Sequence, residues 1–176
     1  MVGDAHNLPL QSSSADLISC AMAWHWLDPE PFYREVKRVL KPKGCLAVYG
    51  YGPGSESVGD YHCQKLALTY IDHLKEKGFW HERSVHCENN YAATKLPFKL
   101  TERYEFPMVW KTDLTHLVGF LSSTSLFPAY CQKYPDSTLL KDLQKNYLSA
   151  KGKNQTNPKL EYIFTGFAIL GQNDGQ

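Results

Sequence analysis

Leu17-Ile18-Ser19-Cys20-Ala21-Met22-Ala23 is a short run of apolar and small residues, the composition of a strand buried on both faces. Asp28-Pro29-Glu30 follows, with Asp as a helix N-cap, Pro in the first turn and an acid at the positive helix end. Phe32, Val36, Val39 and Leu40 then recur at helical spacing, with Arg34, Glu35, Lys37 and Arg38 between them. Lys41-Pro42-Lys43-Gly44 stops that helix, because Pro does not continue it and Gly tolerates the turn. Cys45-Leu46-Ala47-Val48-Tyr49 reads as a second buried strand, ending in the loop Gly50-Tyr51-Gly52-Pro53-Gly54. Strands alternating with helices imply an α/β fold with a largely parallel sheet.

Outward from this stretch, a second helix is predicted from about Val58 to Lys77, with Cys63, Ala67, Tyr70, Ile71 and Leu74 on its buried face. Residues 79–99 are rich in aromatics but show little periodicity, and read as an insertion or lid. Arg103 to Trp110 partly alternates as a strand does, and Pro107 places it at an edge or a bulge. Thr112 or Asp113 caps a short helix carrying Leu114, Leu117, Val118 and Leu121. Another helix holds Leu139, Leu140, Leu143 and Tyr147. Lys151 to Lys159 reads as a polar loop, and Tyr162 to Leu170 as the last strand. Residues 1–171 thus read as one domain and 172–176 as a loose tail.

The 176 residues suffice for one domain with a real core. With 43% apolar and 21% charged residues, the chain is globular rather than disordered. A net charge of +1 argues against a dedicated nucleic-acid binder. No segment has the apolar length of a membrane helix, and the first residues lack a secretory pattern, which points to the cytoplasm or nucleus. The five scattered cysteines, Cys20, Cys45, Cys63, Cys87 and Cys131, read as reduced thiols. His62-Cys63, His81 and His86-Cys87 lack the tight paired spacing of structural zinc sites. Asn154-Gln155-Thr156 matches the glycosylation sequon and, without a secretory route, marks only an exposed loop.

Four segments together resemble the class I S-adenosylmethionine-dependent methyltransferases. They are Gly3-Asp4-Ala5-His6-Asn7-Leu8-Pro9, Ser14-Ala15-Asp16-Leu17-Ile18-Ser19-Cys20, Ala23-Trp24-His25-Trp26-Leu27-Asp28 and Arg38-Val39-Leu40-Lys41-Pro42-Lys43-Gly44. Within the family they look most like the small-molecule branch that includes the trans-aconitate methyltransferase-like proteins. The strong match covers about residues 2–52; the remainder agrees in element order. The resemblance implies a Rossmann-like sheet of seven strands in the order 3-2-1-4-5-7-6, with the last strand antiparallel. This chain would hold strands 4, 5, 7 and 6, with flanking helices. The family's glycine-rich loop and its ribose-binding acid have no counterpart upstream of Gly3-Asp4, so the chain reads as the C-terminal portion of the domain, a truncated isoform or partial gene model. Strand 4 would then be an exposed sheet edge, open to a protein partner.

The resemblance also implies a cofactor, S-adenosylmethionine, and the residues that meet it. Asp4 and Ala5 match the position where an acid meets the adenine amino group; the alternative is a solvated terminal Asp. Ala21 matches the strand end whose carbonyl faces the methionine ammonium. His25 and Trp26 match the family's His-Trp pair near the cofactor's methionine part. His25 is a candidate catalytic base, and Trp26 a face for the sulfonium cation; the alternative is packing and capping. Trp80, Tyr91 and Trp110 are candidate substrate-pocket residues or core aromatics. The cluster Lys37, Arg38, Lys41 and Lys43 reads as a solvated helix end.

The implied activity is methyl transfer to a small molecule. The sulfonium is already activated, so the protein mainly supplies position and a dry pocket. A carboxylate acceptor needs no base. The competing class is a non-catalytic truncated isoform acting through its exposed sheet edge or surviving as a remnant. A nicotinamide dehydrogenase is a weaker third class, since it needs the same glycine loop.

Overall fold

The computed structural model describes residues 2–52, 60–152 and 156–175. Among the described residues four strands form one sheet: β1 (Ala15–Ala21), β2 (Leu40–Gly52), β3 (Leu100–Asp113) and β4 (Lys159–Gln172). Their order is β1-β2-β4-β3, which is the 4-5-7-6 order implied by the resemblance. β1 and β2 run parallel, with Leu17 opposite Cys45 and Ala21 opposite Tyr49. The helices are α1 (Pro29–Val39), α2 (Tyr61–Glu76), α3 (Val85–Glu88), α4 (Leu114–Ser122), α5 (Phe127–Lys133) and α6 (Leu139–Lys151).

The chain divides into two compact units. One takes residues 1–52, 83–106 and 166–176; the other takes 53–82 and 107–165. The first unit's core joins Val36 of α1, Leu46 and Val48 of β2 and Phe167 and Ile169 of β4. α1 forms because its apolar positions share one face: Phe32, Val36 and Val39 are buried while the charged residues between them are not. The second unit's core joins Cys63, Tyr70 and Leu74 of α2 with Leu114, Leu117 and Leu121 of α4 and Tyr147 of α6. Asp60 caps α2 by accepting from the backbone N–H of His62 and Cys63. Its other oxygen meets Lys151 Nζ at 2.9 Å and Tyr147 Oη at 3.2 Å, so one carboxylate ties the start of α2 to the end of α6. Asp113 caps α4, accepting from His116 N–H.

Several expectations change. β1 ends at Ala21, not Ala23, and Leu17 is 61% exposed, so the strand is not buried on both faces; its place at the sheet edge is the one expected. Lys41 to Gly44 belong to β2, which starts where α1 stops. Within residues 79–99, Tyr91, Leu96 and Phe98 are buried in the first unit's core, so that segment is not a lid. α5 has no counterpart in the sequence reading. β4 runs through Gln172, and Asn173 Nδ2 donates to the carbonyls of Leu40 and Lys41, so the chain is held beyond residue 171. Lys151 lies in α6 and Lys159 in β4. Pro53, Gly54, Val58, Asn154 and Gln155 lie outside the described residues. β3 is an edge strand, as Pro107 requires.

Candidate functional site

The site is built at the carboxyl end of β1, where open α/β sheets bind ligands. Ala21 ends the strand, and Met22 turns the chain out of it with φ +48°, a left-handed conformation rare for a side chain of that size. Met22 Sδ lies 3.3 Å from the Tyr51 N–H of β2, which fixes the turn against the neighbouring strand. The next residues, Trp24–Trp26, make one 3-10 turn before α1.

That turn points its three side chains differently. Trp24 is buried, and its Nε1–H donates to Tyr33 Oη at 3.0 Å. His25 is 7% exposed, with Nδ1 2.5 Å from Tyr91 Oη and 3.4 Å from Cys87 Sγ. Trp26 is 47% exposed, its ring centroid 4.7 Å from that of His25.

Asp4 is exposed in a tight turn closed by Asn7 N–H donating to Asp4 O. Its Oδ1 accepts from His6 N–H and lies 3.0 Å from His6 Nδ1. On the other side of the same ring, His6 Nε2 accepts from Asp28 N–H at 3.1 Å. An Nε2 that accepts leaves the ring proton on Nδ1, aimed at Asp4. His6 thereby ties the Asp4 turn to the start of α1. Asp28 does not cap α1 with its side chain; its Oδ1 accepts from Arg83, whose other terminal nitrogen donates to the Trp26 carbonyl.

A second strap holds the segment after Asp4. Glu35 accepts from Leu8 N–H and from Arg38, and Arg38 donates to the carbonyls of Leu8 and Leu10. These bonds hold the Glu35 carboxyl down at about 2, the Arg38 bond contributing most. Arg38 is therefore a structural clasp and not part of a solvated helix end; Lys41 pairs with Asp16.

The structure thus brings Asp4, Ala5, Ala21, His25 and Trp26 into the same unit, with His6 linking the Asp4 turn to the helix that follows Trp26. Tyr91 is fully buried beside His25, as a core residue and not a pocket wall. Trp80 and Trp110 belong to the other unit. Trp110 stacks on Phe164 and borders a cleft of about 790 Å³ with Asp113, His116 and Lys159. Lys75 Nζ lies 5.3 Å from the Trp80 ring. The sequence reading missed His6, Arg83 and Cys87 as neighbours of the site; only the adjacency of His6 to Asp4 hinted at the first.

These residues suit one side of an S-adenosyl group. An exposed carboxylate accepts from an adenine amino group, and a half-exposed indole offers a face to a sulfonium. The described residues contain no glycine-rich turn at the start of a strand–helix unit for the remainder.

Residues 1–48 match the methyltransferase domain family. A protein of Dictyostelium discoideum named as a candidate methyltransferase is 25% identical over 97% of this chain and 64% of its own length. A malonyl-[acyl-carrier protein] O-methyltransferase of Dechloromonas aromatica is 38% identical over 41% of this chain and 26% of its own. The chain spans less than two thirds of the length of these relatives. Among solved structures, a candidate type II methyltransferase from Anaeromyxobacter dehalogenans superposes with a TM-score of 0.76 at 23% identity, over 98% of this chain and 71% of that one. The chain has the fold of a methyltransferase, and over its first 48 residues it matches the methyltransferase domain family.

Proposed function

We propose that this chain is an S-adenosylmethionine-dependent methyltransferase of the small-molecule, trans-aconitate-like kind, with a carboxylate as methyl acceptor. The observation that carries this reading is the tie from Asp4 through His6 to Asp28, which sets an exposed carboxylate by the turn that bears His25 and Trp26. When bound, S-adenosylmethionine supplies a methyl group already activated by the positive sulfur. Asp4 accepts from the adenine amino group, and Trp26 turns its ring to the cation. The end of β1 contributes a backbone carbonyl at Ala21.

A carboxylate acceptor is ionised at neutral pH, so no proton has to be removed from it. This fits a site in which His25 is buried and hydrogen-bonded rather than open to substrate. The relative that methylates a malonyl group on oxygen supports the same class of acceptor. The five free cysteines support a reducing compartment, and we place the activity in the cytoplasm.

The test is incubation of the chain with methyl-labelled S-adenosylmethionine and a panel of small di- and tricarboxylates, read by mass spectrometry. Methyl esters on one or more acceptors support the reading. A chain that binds S-adenosylhomocysteine but esterifies none of them refutes the carboxylate assignment.

One observation favours a second reading, a non-catalytic chain that pairs with a protein through β1. Leu17 is exposed on an edge strand whose backbone is open to another strand. A stable complex with no methyl transfer selects that reading.

A further inference from the structure

β3 is an open edge of the sheet, and the side chains along it form a pattern that is its own complement. The strand lies at the end of the order β1-β2-β4-β3, so among the described residues one side of it pairs with no strand. Leu100, Tyr104 and Phe106 alternate onto one of its faces and are each about half exposed. A long apolar edge left open is an aggregation hazard unless a defined partner covers it.

The charges indicate the partner. Arg103 and Glu105 stand on either side of Tyr104 and share the other face. Arg103 is held in place. Its guanidinium lies 5.8 Å from the centre of the Phe167 ring, donates to the carbonyls of Asn90 and Tyr91, and meets Glu105 Oε1 at 2.6 Å. Glu105 keeps about half of its side chain exposed, so its carboxylate is open to a second cation.

We propose that two copies of this chain pair antiparallel through their β3 edges, on a two-fold axis at Tyr104, and join their four-stranded sheets into one. Tyr104 then faces its own counterpart, Arg103 faces Glu105 on both sides of it, and Glu102 faces Phe106. The four charges of Arg103 and Glu105 alternate in sign around the axis, and no like charges stand directly opposite. Moving the axis by one residue sets Arg103 against Arg103, or Glu105 against Glu105, so the charges select this register. β1, the other edge, has no such pattern, since its one charged residue, Asp16, pairs with Lys41.

Pro107 supports the same register. A proline in an edge strand turns its missing N–H away from the sheet. Strand amides alternate in direction, so those of Arg103 and Glu105 also face outward. Each Arg103–Glu105 pair thus exchanges two backbone hydrogen bonds across the interface. Tyr104 is left between them as a non-hydrogen-bonded pair, in which opposite Cα atoms approach to about 4.5 Å. Beyond these pairs Pro107 has no donor to give, which keeps the ladder short. A two-fold contact also closes on itself, so the edge is covered in a dimer and does not grow into a fibre.

Sedimentation velocity of the full chain at about 100 µM reads the dimer, and disulfide trapping reads its register. The expected dissociation constant is on the order of 10⁻⁵ M, in keeping with a small strand-on-strand contact. Glu105→Arg sets like charges opposite each other twice and weakens the dimer at least about tenfold, with a melting temperature close to the wild type because an exposed ion pair contributes little to folding. Tyr104→Lys opposes two lysines on the axis and serves if Glu105→Arg does not fold. Leu17→Lys, at the other edge, removes association beyond the dimer and leaves the dimer itself. On mild oxidation Tyr104→Cys forms a disulfide-linked dimer through position 104, because about 4.5 Å between Cα atoms is within disulfide reach. Leu100→Cys, which does not face its own counterpart, forms none; peptide mapping separates this link from the five native cysteines. A chain that is monomeric at this concentration, a dimer unmoved by Glu105→Arg, or a dimer abolished by Leu17→Lys overturns the proposal. A Tyr104→Cys chain with no link at position 104 does so as well.

Discussion

Gly50→Ala tests whether the end of β1 is held as described. Gly50 lies in β2 beside the Met22 turn. A Cβ built on it falls 2.3 Å from Met22 Sδ, 3.1 Å from Met22 Cγ and 3.2 Å from Phe167 Cζ. The first distance is far inside van der Waals contact, so Met22 must leave its place and lose the Tyr51 N–H. A thioether chain is flexible, which keeps the cost at the lower end of overpacking, about 1–2 kcal/mol. For a chain of this size that is a loss of roughly 2–8 °C in melting temperature. Gly119→Ala is the matched control. Gly119 is exposed in α4 with open space around its Cβ position, so alanine stabilises by about 0.5–1 kcal/mol through helix propensity. Differential scanning calorimetry of the two variants against the wild type decides the matter. A Gly50→Ala melting temperature equal to or above the wild type refutes the packing of Met22 against β2.

Three further outcomes are expected. The Glu35 carboxyl is held at about 2 against an ordinary 4.5, so its contribution is complete above about pH 4.5 and lost as pH falls through 2; amide exchange at Leu8 stays slow at pH 4, and Glu35→Gln speeds it at pH 7. Leu117→Ala, at a fully buried position of α4, costs about 2–5 kcal/mol, read from the urea midpoint at unchanged slope. Leu17→Lys places a charge on the exposed edge strand; sedimentation velocity shows less self-association than the wild type, with stability within about 0.5 kcal/mol.

The parts of the fold legible in the sequence are those written as local patterns. The apolar positions of α1 lie on one helical face, and Asp113 stands directly before the apolar series of α4, so both helices are visible without a structure. The open edge at β1 and the edge position of β3 were legible as well, the latter from Pro107. α5 was not, because seven residues with Pro128 in the first turn and Tyr130 alone buried carry no period. The segment around Tyr91, Leu96 and Phe98 misled for a related reason. Turns, not a repeating spacing, carry these residues into the core. The site divides in the same way. Asp4, His25 and Trp26 were named through the resemblance of short contiguous segments to the methyltransferase family. His6 reaching Asp28 and Arg83 reaching Asp28 join positions 22 and 55 residues apart, a relation no local pattern writes down.

The most direct test of the account is calorimetric titration of S-adenosylhomocysteine into the purified 176-residue chain, after circular dichroism confirms that it is folded. The account predicts binding with Kd about 10⁻⁴ M or tighter, weakened roughly tenfold in Asp4→Asn, which loses a charged acceptor at the adenine side. A folded chain that gives no heat of binding, or one whose affinity is unchanged by Asp4→Asn, contradicts the placement of the cofactor at the end of β1.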